Sequence, residues 1–160
     1  MDNAEKREKI ISVAREIIKF IGVDAEINWL EEGYVAKTPI ISIESLSGSG
    51  VLIGKKGQNL EALEHLIKLA AAKSLENEIF PFIVDVNKYR KSQISHIAST
   101  AREVAVRVAR NNRAEFLSPM SAYERRIVHT ELSSFKGVGT ESVGKDPNRR
   151  VIIKPQTNII

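Results

Sequence analysis

Near the start of the chain apolar residues recur at helical spacing: Ile10, Ile11, Ala14, Ile17, Ile18 and Ile21, with Lys, Arg and Glu between them. This predicts an amphipathic helix over 4–21, stopped by Gly22. Asp24 to Leu30 alternates, with Ala25, Ile27 and Trp29 on one side, and predicts a strand; Trp29 there reads as core. Glu31-Glu32-Gly33 is a turn. A second strand is expected over 34–46 from Val35, Ile41, Ile43 and Leu46, and Pro39 marks it as an edge or a bulge. Ser47-Gly48-Ser49-Gly50 breaks it. Val51-Leu52-Ile53 starts a short helix that runs into Gly54-Lys55-Lys56-Gly57. A helix resumes at Asn59, with Leu60, Leu63, Leu66, Ile67, Ala70 and Ala71 in one stripe. Residues 79–86 read as a strand.

The second half begins with a long helix over 88–112. Ile94, Ile97, Ala98, Ala101, Val104, Ala105 and Val108 mark its buried side, and Glu103 and Arg107 can pair across one turn. Ala114 to Leu117 suits a short strand, and Ser118-Pro119 turns the chain. Ser121 and Glu124 match a capping box, so a helix should cover about 121–134. The stretch 137–149 is rich in Gly, Ser, Asp, Pro and Asn, with Val138 and Val143 suggesting an irregular strand. Val151-Ile152-Ile153 is a final strand. There is no internal repeat. The pattern predicts an α+β protein of two modules, 1–86 and 87–160, joined at a helix start rather than by a Gly/Ser linker.

Composition narrows the class. The 160 residues suit one domain or two small ones. With 28% charged and 42% hydrophobic residues, a disordered chain, a collagen-like one and a membrane protein are excluded. No apolar stretch is long enough to span a bilayer, and the first ten residues lack a secretion signal. The absence of cysteine removes disulfides and Cys-ligated metals. His65, His96 and His129 are too scattered for a metal motif, and no cofactor site is read. A cytoplasmic protein is expected. Charge is unevenly spread: residues 1–86 hold 10 Lys+Arg against 14 Asp+Glu, while residues 87–160 hold 14 against 6. The basic half points toward a polyanion.

The segment SGVLIGKKGQNLEAL carries the first chemistry. Gly54 and Gly57 have no Cβ, so a phosphodiester can approach the main chain. The following helix offers free N–H groups and a positive dipole end, and Lys55 and Lys56 add charge. A Walker loop is rejected, because position 49 is Ser and position 56 is Lys. A dinucleotide loop is rejected because no parallel strand leads into the glycines. The plainer alternative is a tight helix–helix turn. The order helix-strand-strand-helix-GxxG-helix-strand resembles a type II KH domain over roughly 1–86. That resemblance implies that Gly54-Lys55-Lys56-Gly57 clamps about four nucleotides of a single strand.

The second signal is Arg125 and His129, four apart and so on one helical face, where two donors can grip adjacent phosphates. Arg126 points about 100° away. Alternatives are a solvated pair, or His129 satisfying a buried carbonyl. Glu124 and His129 as an acid/base pair is discounted, since no carboxylate cluster or activated nucleophile accompanies them. Arg102, Arg110 and Arg113 lie within about 80° of one another on an ideal helix, and Arg149 and Arg150 precede the last strand. Aromatics are few, so no broad stacking platform is indicated; Tyr123 is the better stacking candidate. The segment resembles the R-3-H domain, which binds single-stranded nucleic acid. Arg125 and His129 match its defining pair. Leu117, Pro119, Met120, Val138 to Ser142, Gly144, Pro147, Arg149 and Val151 to Ile153 match the rest, over about 87–155.

The two modules in this order resemble the bacterial Jag (SpoIIIJ-associated) family. The resemblance implies a non-enzymatic RNA-binding regulator, with a small KH-domain protein as partner or a homodimer, and links to cell elongation, division and sporulation. Family members carry a further N-terminal domain and linker, whereas here the first helix begins almost at Met1. The leading expectation is a binder of single-stranded RNA, or of single-stranded DNA, without membrane insertion. The predicted contact residues are Gly54, Lys55, Lys56, Gly57, Arg125, Arg126, His129, Arg149 and Arg150. The alternative is a protein-interaction or dimerisation module that docks an acidic partner.

Overall fold

The computed structural model describes residues 1–34 and 37–156. The chain forms two compact units, Met1–Lys91 and Ser92–Ile160.

The first unit starts with α1 (Asn3–Ile21), which buries Ile10, Ile11, Ala14 and Ile18. Its limits are set locally. Asp2 and Glu5 form a capping box, and Gly22 closes the helix at φ +83°, a backbone shape that glycine takes without penalty. Strands β1 (Glu26–Leu30), β2 (Ile40–Glu44) and β3 (Ile83–Val86) form a sheet in the order β1-β2-β3. β2 runs antiparallel to β1 and parallel to β3. Helices α2 (Ser49–Ile53) and α3 (Gln58–Ser74) lie between β2 and β3 in sequence, separated by a 3-10 turn at Lys55–Gly57. Leu52, Leu60, Leu63, Ile67 and Ala71 join the α1 stripe, Ile27, Ile41, Ile43, Val84 and Val86 in one core. The order helix-strand-strand-helix-helix-strand is the expected one.

Three expectations need correction. The second strand covers only 40–44, and Leu46 lies beyond it, fully exposed; Val35 is outside the described residues. Pro39 marks neither an edge nor a bulge. It precedes the central strand, where its carbonyl accepts from Ile83 N at 2.9 Å, so its missing N–H falls outside the ladder. The third strand begins at Ile83 rather than at 79. Phe80 and Phe82 made the run look longer, but they pack on Trp29 with ring centroids 5.9 and 6.3 Å away.

α4 (Tyr89–Asn111) starts in the first unit, and the division between units falls within it. Its first turn is tied down there. Asp85 Oδ1 accepts from Arg90 N at 2.9 Å, and Arg90 Nη2 donates to Glu64 of α3 at 2.8 Å. Glu64 Oε2 also accepts from Val84 N at 3.0 Å, satisfying a donor of the edge strand β3.

The second unit holds the rest of α4, then β4 (Glu115–Phe116), α5 (Ala122–Leu132), β5 (Val138–Val143) and β6 (Arg150–Pro155). The sheet order is β4-β6-β5, all antiparallel. Ala101, Val104, Ala105 and Val108 of α4 share a core with Leu117, Val128, Leu132, Val138, Val151 and Ile153. β5 is a regular six-residue strand, although only Val138 and Val143 suggested it. Its register against β6 is continuous from Val138↔Pro155 to Val143↔Arg150, so the partner supplies what local propensity lacks. Arg107 does not pair with Glu103. Its fork meets Glu115, with Nη2 at 2.9 Å and Nε at 3.3 Å, a bidentate fit. At the start of α5, Ser121 Oγ accepts from Glu124 N at 3.3 Å, and Glu124 Oε2 accepts from Ser121 N at 2.7 Å.

Removing that cap has a calculable effect. Ser121→Ala should lower the unfolding free energy by about 1 kcal/mol, read from the midpoint of urea denaturation. An unchanged midpoint would show that the cap is not holding the helix start.

Candidate nucleic-acid interface

The tip of the first unit is built from its glycines inward. Gly54 has φ +69° and ψ −178°, a region open essentially to glycine alone. A Cβ there would lie 2.5 Å from Asn59 Cγ. Asn59 is in that place because its Nδ2 donates to the Val51 carbonyl at 2.8 Å, tying α3 back to α2. Gly57 is buried at φ +80°, and a Cβ would lie 3.0 Å from the Tyr89 ring. The space left by both missing Cβ atoms is therefore filled from within the unit. Any anion at this tip would be met by the exposed lysines, not by room beside the glycines.

Lys55 and Lys56 are exposed and make no ion pair among the described residues. Lys56 holds φ +53°, ψ +27°, a left-handed shape that costs a non-glycine residue on the order of 1 kcal/mol. α3 begins without a side-chain cap, and the N–H of its first residue, Gln58, donates to the Lys55 carbonyl.

In the second unit the expected pair does share a face of α5, but it is the inner face. Arg125 is buried, with its side chain 9% exposed. Its Nη1 donates to the Met120 carbonyl at 2.8 Å and lies 3.6 Å from Asp146 Oδ1. His129 is half-buried, with Nδ1 2.7 Å from Thr140 Oγ1 and Nε2 2.8 Å from Ser142 Oγ, both on β5. Burial pushes the His129 pKa below its usual 6.5, and the Arg125 charge pushes it further the same way. The pair is thus not a solvent-facing grip, because α5 turns this stripe toward the hairpin. The other candidates differ. Arg126 is exposed. Arg149 is half-buried, and its Nε is buried with no partner among the described residues. Arg150 is half-buried, with Nε donating to the Asn148 carbonyl at 3.2 Å. Arg102 is taken up by Glu131, while Arg110 and Arg113 are exposed. Tyr123 is 47% exposed.

The sequence reading missed Lys145 altogether and gave Thr140 and Ser142 no role beyond their place in the R-3-H pattern. Lys145 is exposed in the turn between β5 and β6, and the spacing of that turn was the only signal for it. The hydroxyls of Thr140 and Ser142 stand two apart on a strand, so they share one face; no local pattern links them to His129. Among the described residues no group of three or more His, Asp or Glu could hold a metal ion. No helix there is long and apolar enough to cross a membrane.

Comparison with known proteins settles the class first. Residues 95–155 match the R-3-H domain family, so the second unit carries an R-3-H domain. The particular relationship follows. Proteins named RNA-binding protein KhpB match the chain in several bacteria. The Clostridium symbiosum protein is 39% identical over 104 residues, covering 65% of this chain and 46% of that protein. The Lactiplantibacillus plantarum protein is 28% identical over 137 residues, covering 86% and 41%, and the Bacillus subtilis protein 33% over 107 residues, covering 66% and 51%. The chain is a homologue of these KhpB proteins of the Jag family, as its two motifs together implied. It spans about half the length of the curated relatives it matches.

Two outcomes follow from this geometry. Gly54→Ala should destabilise the protein by about 1–3 kcal/mol in urea denaturation, through the backbone strain and the contact with Asn59. A neutral stability would mean that the tip relaxes freely. Because the folded pKa of His129 lies below its unfolded value, the unfolded state binds more protons under pH 6.5. The contribution of His129 is therefore present above pH 6.5 and lost as pH falls through the folded value. Wild-type stability should decline more steeply on acidification in that range than that of His129→Gln. Parallel curves would contradict the assignment.

Proposed function

We propose that this chain is a non-enzymatic, cytoplasmic binder of single-stranded RNA that works through the phosphate backbone. The first module, residues 1–86, acts as a type II KH domain and the second, 87–160, as an R-3-H domain. One observation carries the reading. Lys55 and Lys56 are exposed at the tip, without an ion pair among the described residues, at the start of a 17-residue helix that has no side-chain cap, and Lys56 is held in a left-handed backbone shape. Packing gives no reason for two adjacent lysines there, whereas a phosphate does. The names of the KhpB relatives point to the same ligand. The excess of cations in residues 87–160 supports a second contact area around Arg125, Arg126, His129, Arg149 and Arg150. A regulatory role in cell elongation, division and sporulation, with a small KH-domain protein or a second copy as partner, follows from the family reading.

A protein-docking role has one observation in its favour. Leu66 and Leu69, a turn apart on α3, are 49% and 58% exposed, an apolar pair that a protein partner could cover.

Fluorescence anisotropy with short labelled single-stranded RNA at two salt concentrations tests the proposal. Binding should weaken steeply with salt. The double variant Lys55→Asp, Lys56→Asp should lose on the order of tenfold or more in affinity with an unchanged circular dichroism spectrum. Full affinity in that variant would remove the tip from the binding surface. No binding by the wild type at low salt would favour the protein-docking role.

A further inference from the structure

The residues that define the second motif face inward, which separates two jobs that the sequence merges. Arg125 bonds the carbonyl of Met120, whose own N–H donates to Arg149 O at 3.1 Å. Three residues upstream of Met120, Leu117 N donates to Val151 O at 2.9 Å. The segment 117–120 is thus bonded to α5 on one side and to the start of β6 on the other. His129, one turn along α5, holds β5 through two hydroxyls. Together they tie α5 to both strands of the β5–β6 hairpin, near its turn, where Ser142 pairs with Val151. Three cations stand on the parts so joined: the exposed Arg126 on α5 and Lys145 in the hairpin turn, and the half-buried Arg150 at the start of β6. Arg126 and Lys145 make no ion pair among the described residues.

We propose that Arg125 and His129 are positioning residues, and that Arg126, Lys145 and Arg150, whose spacing they set, meet the phosphates. This rests on the RNA-binding reading above. Arg125 commits an Nη1 donor to the Met120 carbonyl inside the unit, and His129 commits both ring nitrogens there. A guanidinium 9% exposed with a carbonyl and a carboxylate already beside it has little surface to give a phosphate. The His129 ring has both nitrogens engaged, and its burial favours the neutral form, which carries no charge to offer.

The salt dependence of binding distinguishes contact from positioning. Each phosphate contact on a single strand contributes about 0.7 to the slope of log K against log salt. Anisotropy titrations with a labelled oligouridine at several salt concentrations should show that slope reduced by about 0.7 in each of Arg126→Gln, Lys145→Gln and Arg150→Gln. In Arg125→Gln the affinity should fall roughly tenfold through lost preorganisation while the slope stays at its wild-type value. Should that variant fail to fold, the pair Thr140→Val, Ser142→Ala releases His129 without touching a charge. It should likewise weaken binding at constant slope, whereas a His129 that contacts RNA directly would lose nothing. A spectroscopic readout completes the test: the imidazole proton signals of His129 should titrate at the same pH with and without saturating RNA. A slope reduced by about 0.7 in Arg125→Gln, or an imidazole pKa raised by RNA, would overturn the proposal. Wild-type protein that shows no salt-sensitive binding is a different result, which removes the RNA reading itself and this division of roles with it.

Discussion

A buried guanidinium has to be paid for by its neighbours, and in the second unit that constraint organises everything around it. Arg125 keeps its charge where solvent is nearly absent, so it must find acceptors inside. It takes the Met120 carbonyl and faces Asp146. Met120 can offer that carbonyl only because the segment before α5 is laid against the start of β6 by its own N–H groups. The helix, the segment leading into it and the hairpin therefore meet at one side chain. His129 repeats the arrangement one turn further on, with a neutral ring matched to hydroxyls that can donate or accept. Removing either partner of such a buried contact leaves the other unsatisfied, which costs more than the bond itself is worth.

The tip of the first unit obeys the same economy. Gly54 and Gly57 are demanded by Asn59 and Tyr89 and by the backbone shape, and the two lysines are what remains outside. In both units the fold consumes the residues that look most distinctive in the sequence and leaves exposed cations beside them. Exposed cations on rigid supports suit a phosphate backbone, whose charge is the same for every sequence. They offer little for reading bases, and the exposed aromatics are too few to stack a run of them. Any base preference would have to come from apolar side chains beside the tip, such as Val51, which is 61% exposed.

Much of this was legible beforehand, for local reasons. α1, α3, α4 and α5 follow from apolar spacing. The capping box of α5 and the closing glycine of α1 are signals written within a few residues. The capping box of α1, from Asp2 to Glu5, has the same signature and was open to the same reading. The strands were harder. Phe80 and Phe82 lengthened the apparent third strand because packing on Trp29 and strand formation select the same residue types. β5 looked irregular because its polar residues are stabilised by pairing with β6 across the hairpin turn rather than by their own propensity. Arg107 chose Glu115 over Glu103 because fork geometry depends on where β4 lies.

The sequence by itself determined the order of elements, the limits of the helices, the positions of the two motifs and the family they imply. These depend on periodicity, caps and glycine, which act over a few residues. Tertiary structure alone decided which way Arg125 and His129 face and what fills the space at Gly54 and Gly57. Spacing four apart says that two residues share a face of a helix. Whether that face meets water or a strand is set by the hairpin packed against it, and no local pattern carries that information.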